Sequence, residues 1–161
     1  MKKAIFLDRD GTLNNTSDHY YVWRREELRL NVGVCEALAQ LQARGYMLIV
    51  ISNQGGVSKG EFGRRDVEDV HARLRALLER EGVRLDEIYY CPHHPMVEAC
   101  LCRKPQGLMI QKAMARFGID PASSWMIGDA ERDVEAGKAA GIRTIQVEAN
   151  GDLRKVLDEI G

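Results

Sequence analysis

Short apolar runs that alternate with helical patterns constrain the fold of this chain more than any other feature. The runs predict strands, each ending at a turn, at 4–7, 46–52, 87–90, 125–127 and 142–147. Apolar residues at three- and four-residue spacing predict helices near 34–44, 64–81, 105–117, 130–140 and 151–160. Strands that alternate with helices favour a parallel sheet wound on both faces by right-handed crossovers. We therefore predict an α/β fold, with one doubly wound domain over residues 1–161.

Acidic residues follow two of the predicted strands. Asp8 and Asp10 end the first strand, Asp129 ends the fourth, and Asp133 lies four residues later on the same helix face. Carboxylates at the end of a buried strand repel each other unless a cation or a shared proton intervenes. Taken alone, the first pair fits solvated turn acids equally well, and the second acidic cluster favours a metal. We expect Mg²⁺, with Asp133 holding a ligand or a metal-bound water.

Polar and basic residues near two other predicted elements complete this edge of the sheet. Ser52 and Asn53 end the second strand, and two glycines follow whose N–H groups can face an anion. Lys104 precedes the predicted first turn of the third helix, where a cation does not help the helix dipole. A metal, a carboxylate, a hydroxyl group and a lysine together favour phosphoryl transfer, which depends on positioning and on neutralising charge.

A second group of candidate ligands lies on a loop at about 91–104. Cys91, Cys100 and Cys102 occur close to His93 and His94, which matches a Cys₃His zinc site. Disulfide bonds are the alternative. The tight spacing of the thiols, the expected cytoplasmic setting and Cys35, which has no partner for a disulfide, argue for structural zinc.

These residues also carry a resemblance to a known family. Asp8-Arg-Asp-Gly-Thr12, Ser52-Asn53, Lys104 and Gly128-Asp-x-x-x-Asp133 resemble, in order, the four motifs of the haloacid-dehalogenase-like (HAD) phosphohydrolases. The resemblance implies a Rossmann-like HAD domain. Because only about twenty residues separate the first motif from the first helix, the domain is expected to be capless.

The resemblance also implies a role for each motif residue. Asp8 is the expected nucleophile that forms an aspartyl phosphate, and Asp10 is the expected general acid and base. Ser52 and Lys104 are expected to hold the phosphoryl oxygens. The expected Mg²⁺ ligands are the side chains of Asp8 and Asp129 and the backbone carbonyl of Asp10.

Within the family, the chain resembles the D-glycero-D-manno-heptose 1,7-bisphosphate 7-phosphatases. Their Cys-x-His pattern implies His93, not His94, as the fourth zinc ligand, and their motifs imply sugar contacts from the side chains Asp18, His19, Tyr21, Asn53 and Arg103. The resemblance implies a phosphosugar substrate and a role in nucleotide-heptose synthesis. Two features depart from this subgroup: Ala130 replaces a lysine, and the tail after 147 lacks an Arg-x-Gly segment.

Composition limits the classes of partner. A net charge of −1 provides no general field for nucleic acid or an anionic membrane surface, and no apolar run approaches the ~20 residues of a membrane span. We expect a cytoplasmic monomer with a small-molecule substrate. Three alternatives remain: a histidinol-phosphate phosphatase, a phosphorelay receiver, and a zinc-stabilised binding module. A receiver needs an aspartate at the end of its third strand, where this chain has Tyr90-Cys91.

Overall fold

Five parallel strands form the centre of the molecule. A computed structural model describes the whole chain, Met1–Gly161. The strands are β1 (Lys3–Leu7), β2 (Tyr46–Asn53), β3 (Glu87–Cys91), β4 (Trp125–Gly128) and β5 (Arg143–Gln146). They lie in the order β3-β2-β1-β4-β5, so β1 is central and pairs with both β2 and β4. This arrangement confirms the predicted α/β fold with a parallel sheet.

Helices cover both faces of the sheet. They are α1 (Val34–Ala43), α2 (Arg64–Glu79), α3 (Leu108–Phe117) and α4 (Glu131–Ala139). Because side chains of a strand alternate between faces, Ile5 and Leu7 of β1 join the apolar core that includes α1 and α2. Ala4 and Phe6 join the second core, beneath α3 and α4. Burial on both faces explains why the strands read as continuous apolar runs.

Two predicted helices differ from the structure. The third begins at Leu108 rather than Pro105 because Gln106 N donates to Arg103 O and closes a turn around Lys104. The closing segment, predicted as a helix over 151–160, contains only the 3₁₀ turn Leu153–Val156. The glycines after β2 also precede a turn and not a helix, since α2 begins only at Arg64.

The connections leave the strand ends open. Between β1 and α1 the only regular element is the 3₁₀ turn Arg25–Glu27, which confirms the capless arrangement. The carboxyl ends of β1, β2 and β4 therefore face loops and not a second domain. None of the helices combines the length and apolar character needed to cross a lipid bilayer.

Candidate active site and metal centres

Asp8 lies directly after β1 and is paired with a buried lysine. Lys104 Nζ is 2.7 Å from Asp8 Oδ1 and 2.7 Å from Asp133 Oδ1, and it donates to the Ile51 carbonyl at 2.8 Å. Three oxygen atoms, two of them on carboxylates, thus surround the ammonium group. Burial would lower the pKa of Lys104, but the carboxylates of Asp8 and Asp133 raise it above its usual value. The lysine is a fixed positive charge beside Asp8.

Two glycines allow the acidic residues to approach each other. Gly11 has φ +84°, and a Cβ there would lie 2.5 Å from Oδ2 of Asp129. A Cβ on Gly128 would overlap the carboxylate of Asp133. Both positions therefore need glycine, Gly11 for its conformation as well as for space.

The carboxylates of Asp8, Asp129 and Asp133 fit a divalent cation. Their ligand oxygens all lie within 4.8 Å of one another, and Lys104 supplies only one positive charge among them. Burial raises the pKa of Asp8 to about 6 against the opposing effect of Lys104, and Asp129 adds to the rise. Oxygen ligands with excess negative charge are the donor set that Mg²⁺ prefers. The residues present fit the expected magnesium site.

Asp10 is held by three side chains and is not part of that cluster. Its Oδ1 accepts from Arg9 Nη2 at 2.8 Å and from Asn14 Nδ2 at 3.1 Å, and its Oδ2 accepts from Gln54 Nε2 at 2.8 Å. Burial would raise the pKa of Asp10, but the charge and hydrogen bonds of Arg9 and the two amide donors lower it. The side chain retains 28% exposure, so it can reach a ligand.

The end of β2 places a hydroxyl group close to Asp10, since Gln54 Nε2 donates to both. Ser52 is buried, its Oγ accepts from Gln54 Nε2 at 2.8 Å, and its proton has only a long contact of 3.5 Å with the Asn53 carbonyl, so rotation of the hydroxyl would let it donate to a ligand oxygen. Asn53 Oδ1 accepts from Lys104 N at 3.0 Å, and Asn53 Nδ2 donates to Lys104 O at 3.2 Å. Asn53 therefore fixes the Lys104 turn against β2, in addition to lining the cavity.

A cavity of about 230 Å³ opens above these groups. Its lining includes Asp10 and Asp129 at one side, and Tyr20, Tyr21 and Asn53 at the other. Two arginines, Arg103 and Arg132, also line it, together with Thr16, Gly55 and His94. Arg132 lies in the first turn of α4, two residues after Ala130.

Two expected sugar contacts lie elsewhere. Asp18 and His19 line a separate cavity with Glu26 and Glu27, and His19 Nδ1 is 2.9 Å from Glu27 Oε2. Because His19 contacts Glu27, which lies on a 3₁₀ turn, it lines this cavity and not the one that Asp10 lines. The structure brings Tyr21, Asn53 and Arg103 to the cavity but not Asp18 or His19, so the expected role of those two in binding sugar lacks support.

The second candidate centre is the Cys/His cluster. Ligand atoms of Cys91, His93, Cys100 and Cys102 lie within 4.8 Å of one another, and all three cysteines are free thiols. His93 Nδ1 is 3.4 Å from Cys91 Sγ and 3.3 Å from Cys102 Sγ, and Cys91 and Cys100 are 3.7 Å apart. A tetrahedral site with Zn–S of about 2.3 Å has edges of about 3.7 Å.

Another pair in that cluster, Cys91 and Cys102, has sulfur atoms 2.7 Å apart, which is nearer than such an edge but longer than the ~2.05 Å of a disulfide bond. The donor set fits zinc. His94 is not among the ligands: its Nδ1 accepts from Met96 N at 3.1 Å, and it lines the cavity. The expectation of His93 as the fourth ligand agrees with this arrangement.

The Cys/His cluster is connected to the cavity through Arg103. Its Nη1 donates to the carbonyl of His93 at 2.9 Å. On the other side of the cluster, Glu98 Oε1 is 3.4 Å from His93 Nε2. A carboxylate at the second ring nitrogen orients a metal-bound histidine and raises its basicity.

Several residues at this site were not identified from the sequence. Arg9 and Gln54 bind Asp10, and His94 and Arg132 line the cavity. In the sequence, Arg9 stands between Asp8 and Asp10, and Gln54 directly follows Ser52-Asn53. This closeness to the motif residues is the signal that could have identified them. Arg132 is the third residue after Asp129 and follows the replaced lysine position at 130. The sequence offered His94 only as an alternative zinc ligand, and nothing in it indicated a place in the cavity.

Comparisons with known proteins support the same family. A family model described as HAD-hydrolase-like matches residues 101–159. The D-glycero-beta-D-manno-heptose-1,7-bisphosphate 7-phosphatase of Haemophilus ducreyi is 43% identical over 149 residues, covering 89% of this chain and 81% of the relative. The protein of that name from Escherichia coli is 40% identical over 147 residues, covering 88% and 76%.

A solved structure agrees in fold over the full length of the chain. D,D-heptose 1,7-bisphosphate phosphatase from B. bronchiseptica, complexed with magnesium and phosphate, has a TM-score of 0.85 and 33% identity. The match covers 100% of this chain and 88% of that chain.

Proposed function

Since this chain belongs to the HAD-like phosphatase family, we propose that it is a magnesium-dependent phosphomonoester hydrolase that removes the C7 phosphate of D-glycero-D-manno-heptose 1,7-bisphosphate. The observation that carries the proposal is the contact between Asp8 and Lys104 at the edge of the Asp129 cluster. This contact places a nucleophile beside a fixed cation. Relatives that are 40–44% identical and bear the heptose phosphatase name support the substrate.

In the first step, an Asp8 carboxylate oxygen attacks phosphorus and displaces the sugar oxygen. The new bond is an acyl phosphate on Asp8, and the bond from phosphorus to the sugar oxygen breaks. Asp10 gives a proton to the departing oxygen, which leaves as an alcohol. Ser52 and Lys104 donate hydrogen bonds to the phosphoryl oxygens as charge accumulates on them.

In the second step, Asp10 removes a proton from water, and the water oxygen attacks phosphorus. The bond from phosphorus to the Asp8 oxygen breaks, which releases inorganic phosphate and regenerates the Asp8 carboxylate. Arg9, Asn14 and Gln54 lower the pKa of Asp10, so these contacts favour the carboxylate that the first proton transfer leaves behind and that acts as the base in this step. Gln54 binds both Asp10 and Ser52, so it fixes the distance between the proton donor and the phosphoryl site.

Magnesium would be held by the side chains of Asp8 and Asp129 and by the backbone carbonyl of Asp10. When bound, it supplies counter-charge to the attacking carboxylate and to the phosphoryl oxygens. Thr12 donates to Oδ1 of Asp129 at 3.2 Å and thereby orients this ligand. Asp133 acts on Lys104 instead, at 2.7 Å from its ammonium group.

A second anionic group on the substrate fits the cavity lining. The phosphoryl site uses the positive charge of Lys104, which leaves Arg103 and Arg132 for a different group. Arg103 is expected to orient the sugar, as in the subgroup that the sequence resembles. Arg132 has no hydrogen bond or ion pair within the chain, and its place on α4 allows it to supply the charge that a lysine at 130 would provide.

A phosphate-release assay over three substrate classes tests this function. Heptose bisphosphate, a sugar monophosphate and histidinol phosphate are compared by kcat/KM with Mg²⁺ and with chelator. We expect the bisphosphate to be preferred and the chelator to abolish turnover. A preference for histidinol phosphate would assign the chain to the alternative function, and the absence of phosphatase activity on all three would contradict the enzyme class.

A further inference from the structure

His71 is a buried histidine that the proposed chemistry does not use. It lies on the inner face of α2, is 7% exposed, and has Nε2 at 3.2 Å from Arg9 Nη1. Burial, together with the charge of Arg9, lowers the pKa of His71 to about 3. The imidazole is therefore neutral, and its Nε2 lone pair can accept the hydrogen bond from Arg9.

Arg9 is completely buried, and its guanidinium lies among Asp10, Val22 and His71. Four of its N–H groups meet acceptors. Nε donates to Asp10 Oδ1 at 3.1 Å, and Nη2 donates to the same oxygen at 2.8 Å. Nη2 also donates to Val22 O at 2.8 Å, and Nη1 faces His71. A planar guanidinium is fixed when several of its edges are bound. Nη1, which contacts neither Asp10 nor Val22, has His71 as its partner.

We propose that His71 is a positioning residue that acts through Arg9 to hold the Asp10 carboxylate in place for proton transfer. The inference rests on the proposed acid and base role of Asp10. His71 touches neither substrate nor metal, so its effect reaches the reaction only through Arg9. Tyr90 of β3 packs edge-on against the imidazole, with ring centroids 5.6 Å apart, and fixes its orientation.

The geometry distinguishes positioning from simple packing. Arg9 contacts Oδ1 of Asp10, whereas Gln54 contacts Oδ2, so the carboxylate plane is defined by both. Without an acceptor at residue 71, one edge of the guanidinium is unbound in a buried site, and Arg9 is held less firmly, by Asp10 and Val22 alone. Asp10 would then lose its alignment, while Ser52 and Lys104, which bind elsewhere, would keep theirs.

The test compares substrates that differ in their need for a proton donor. An alkyl phosphate releases an alkoxide unless it is protonated, whereas p-nitrophenyl phosphate releases a stable anion. His71→Leu removes the acceptor and retains an apolar side chain of similar size. We expect kcat on the alkyl phosphate to fall roughly 10- to 100-fold, kcat on p-nitrophenyl phosphate to fall less than 3-fold or so, and KM to change little for both.

Rescue and control variants separate the alternatives. His71→Gln places an amide oxygen near the position of Nε2, and it should restore most of the alkyl phosphate activity. Arg9→Lys keeps the positive charge but cannot bind His71 and Asp10 together, so it should reproduce the leaving-group dependence even if His71→Leu folds poorly. Leu78→Val, a core change two turns along α2, should lower stability without altering the ratio between substrates.

The outcomes distinguish this inference from the proposed mechanism. Asp10→Asn is assayed in parallel and should show the same leaving-group dependence more strongly. If Asp10→Asn slows both substrates equally, the acid role of Asp10 is wrong, and this inference fails with it. If Asp10→Asn shows the dependence but His71→Leu and Arg9→Lys do not, or if His71→Gln gives no rescue, the positioning role alone is overturned.

Discussion

The carboxylate cluster and the Cys/His cluster are two metal centres built in opposite ways. The carboxylate cluster draws on residues 8, 129 and 133 with Lys104, which are far apart in sequence and meet because parallel strands end at one edge. The Cys/His cluster takes all its ligands from residues 91–102, most of them on a loop without helix or strand. In the carboxylate cluster the fold positions the ligands. In the Cys/His cluster we expect a bound metal to hold the loop that carries the ligands.

The carboxylate cluster and the Cys/His cluster also differ in how deeply their ligands are buried. Asp8 and Asp133 are buried, and Lys104 contacts both of them. Three of the four Cys/His ligands are partly exposed, although Cys91 belongs to the apolar core and Cys100 and Cys102 pack against it. We therefore expect magnesium to serve the chemistry of the first centre and zinc to hold the loop conformation of the second. This contrast can be tested centre by centre.

The largest effect is expected for Asp8→Asn. The amide is a poor nucleophile and a weaker metal ligand, so turnover should fall by at least ~10⁴-fold. Because the fold positions this centre, zinc content and the melting temperature should stay at or above their wild-type values. Single-turnover phosphate release measures the turnover, metal analysis measures the zinc content, and thermal unfolding gives the melting temperature. Turnover near the wild-type rate would contradict the covalent mechanism.

Cys100→Ser should affect both centres. Losing one thiolate ligand should remove the tightly held zinc and unfold the loop, since metal binding and local folding are coupled. Arg103 and Lys104 would lose their positions, and kcat/KM should fall roughly 10³-fold. Elemental analysis after gel filtration and a phosphate-release assay test this. Cys35→Ser, outside the cluster, is the matched control. Unchanged zinc content and activity in Cys100→Ser would show that the ligand assignment is wrong.

Arg103→Ala should have a smaller and substrate-dependent effect. The side chain lines the cavity, and a charge-assisted contact is worth about 1.5–3 kcal/mol. We expect kcat/KM to fall roughly 10- to 100-fold on the bisphosphate and much less on a small phosphate ester. Arg132→Ala tests the other arginine in the same assay. Equal losses on both substrates would mean that Arg103 supports the loop through His93 and does not read the sugar.

Glu98→Gln should have the smallest effect. The amide keeps the size of the side chain but weakens the interaction with His93 Nε2, 3.4 Å away. Zinc release to a coloured chelator should become about 10-fold faster, while kcat at saturating zinc stays unchanged. Glu61→Gln, an exposed residue outside the cluster, serves as control. An unchanged release rate would show that Glu98 is a solvated surface residue.

The parts of the fold that depend on apolar periodicity were predictable from the sequence. All five strands and four of the helices lie where the pattern indicates, because both faces of this sheet are buried. The ends of β1, β2 and β4 bring Asp8, Ser52 and Asp129 to one edge for the same reason. The carboxyl ends of parallel strands lie at one edge of the sheet, so the prediction that these residues meet needs no knowledge of side-chain packing.

Features that depend on individual side-chain contacts were not predictable. His71 lies in a polar stretch of α2, and nothing in the sequence indicates that Arg9 would reach it. His19 is drawn to Glu27 by a local ion pair in a loop that has no periodic pattern. The start of α3 was misplaced because Pro105, a common first residue of helices, here lies inside a turn.

The central position of β1 has a consequence for the order in which the protein is assembled during its synthesis. β1 pairs with β2, which follows soon after it, and with β4, whose first paired residue is Trp125. The chain emerges from the ribosome from its amino end, so the Cys/His ligands at 91–102 are complete before β4 exists. Zinc can therefore bind a nascent chain that still has no Asp129. The catalytic centre closes only when β4 adds to the free edge of β1, so it matures after the Cys/His ligands are already in place.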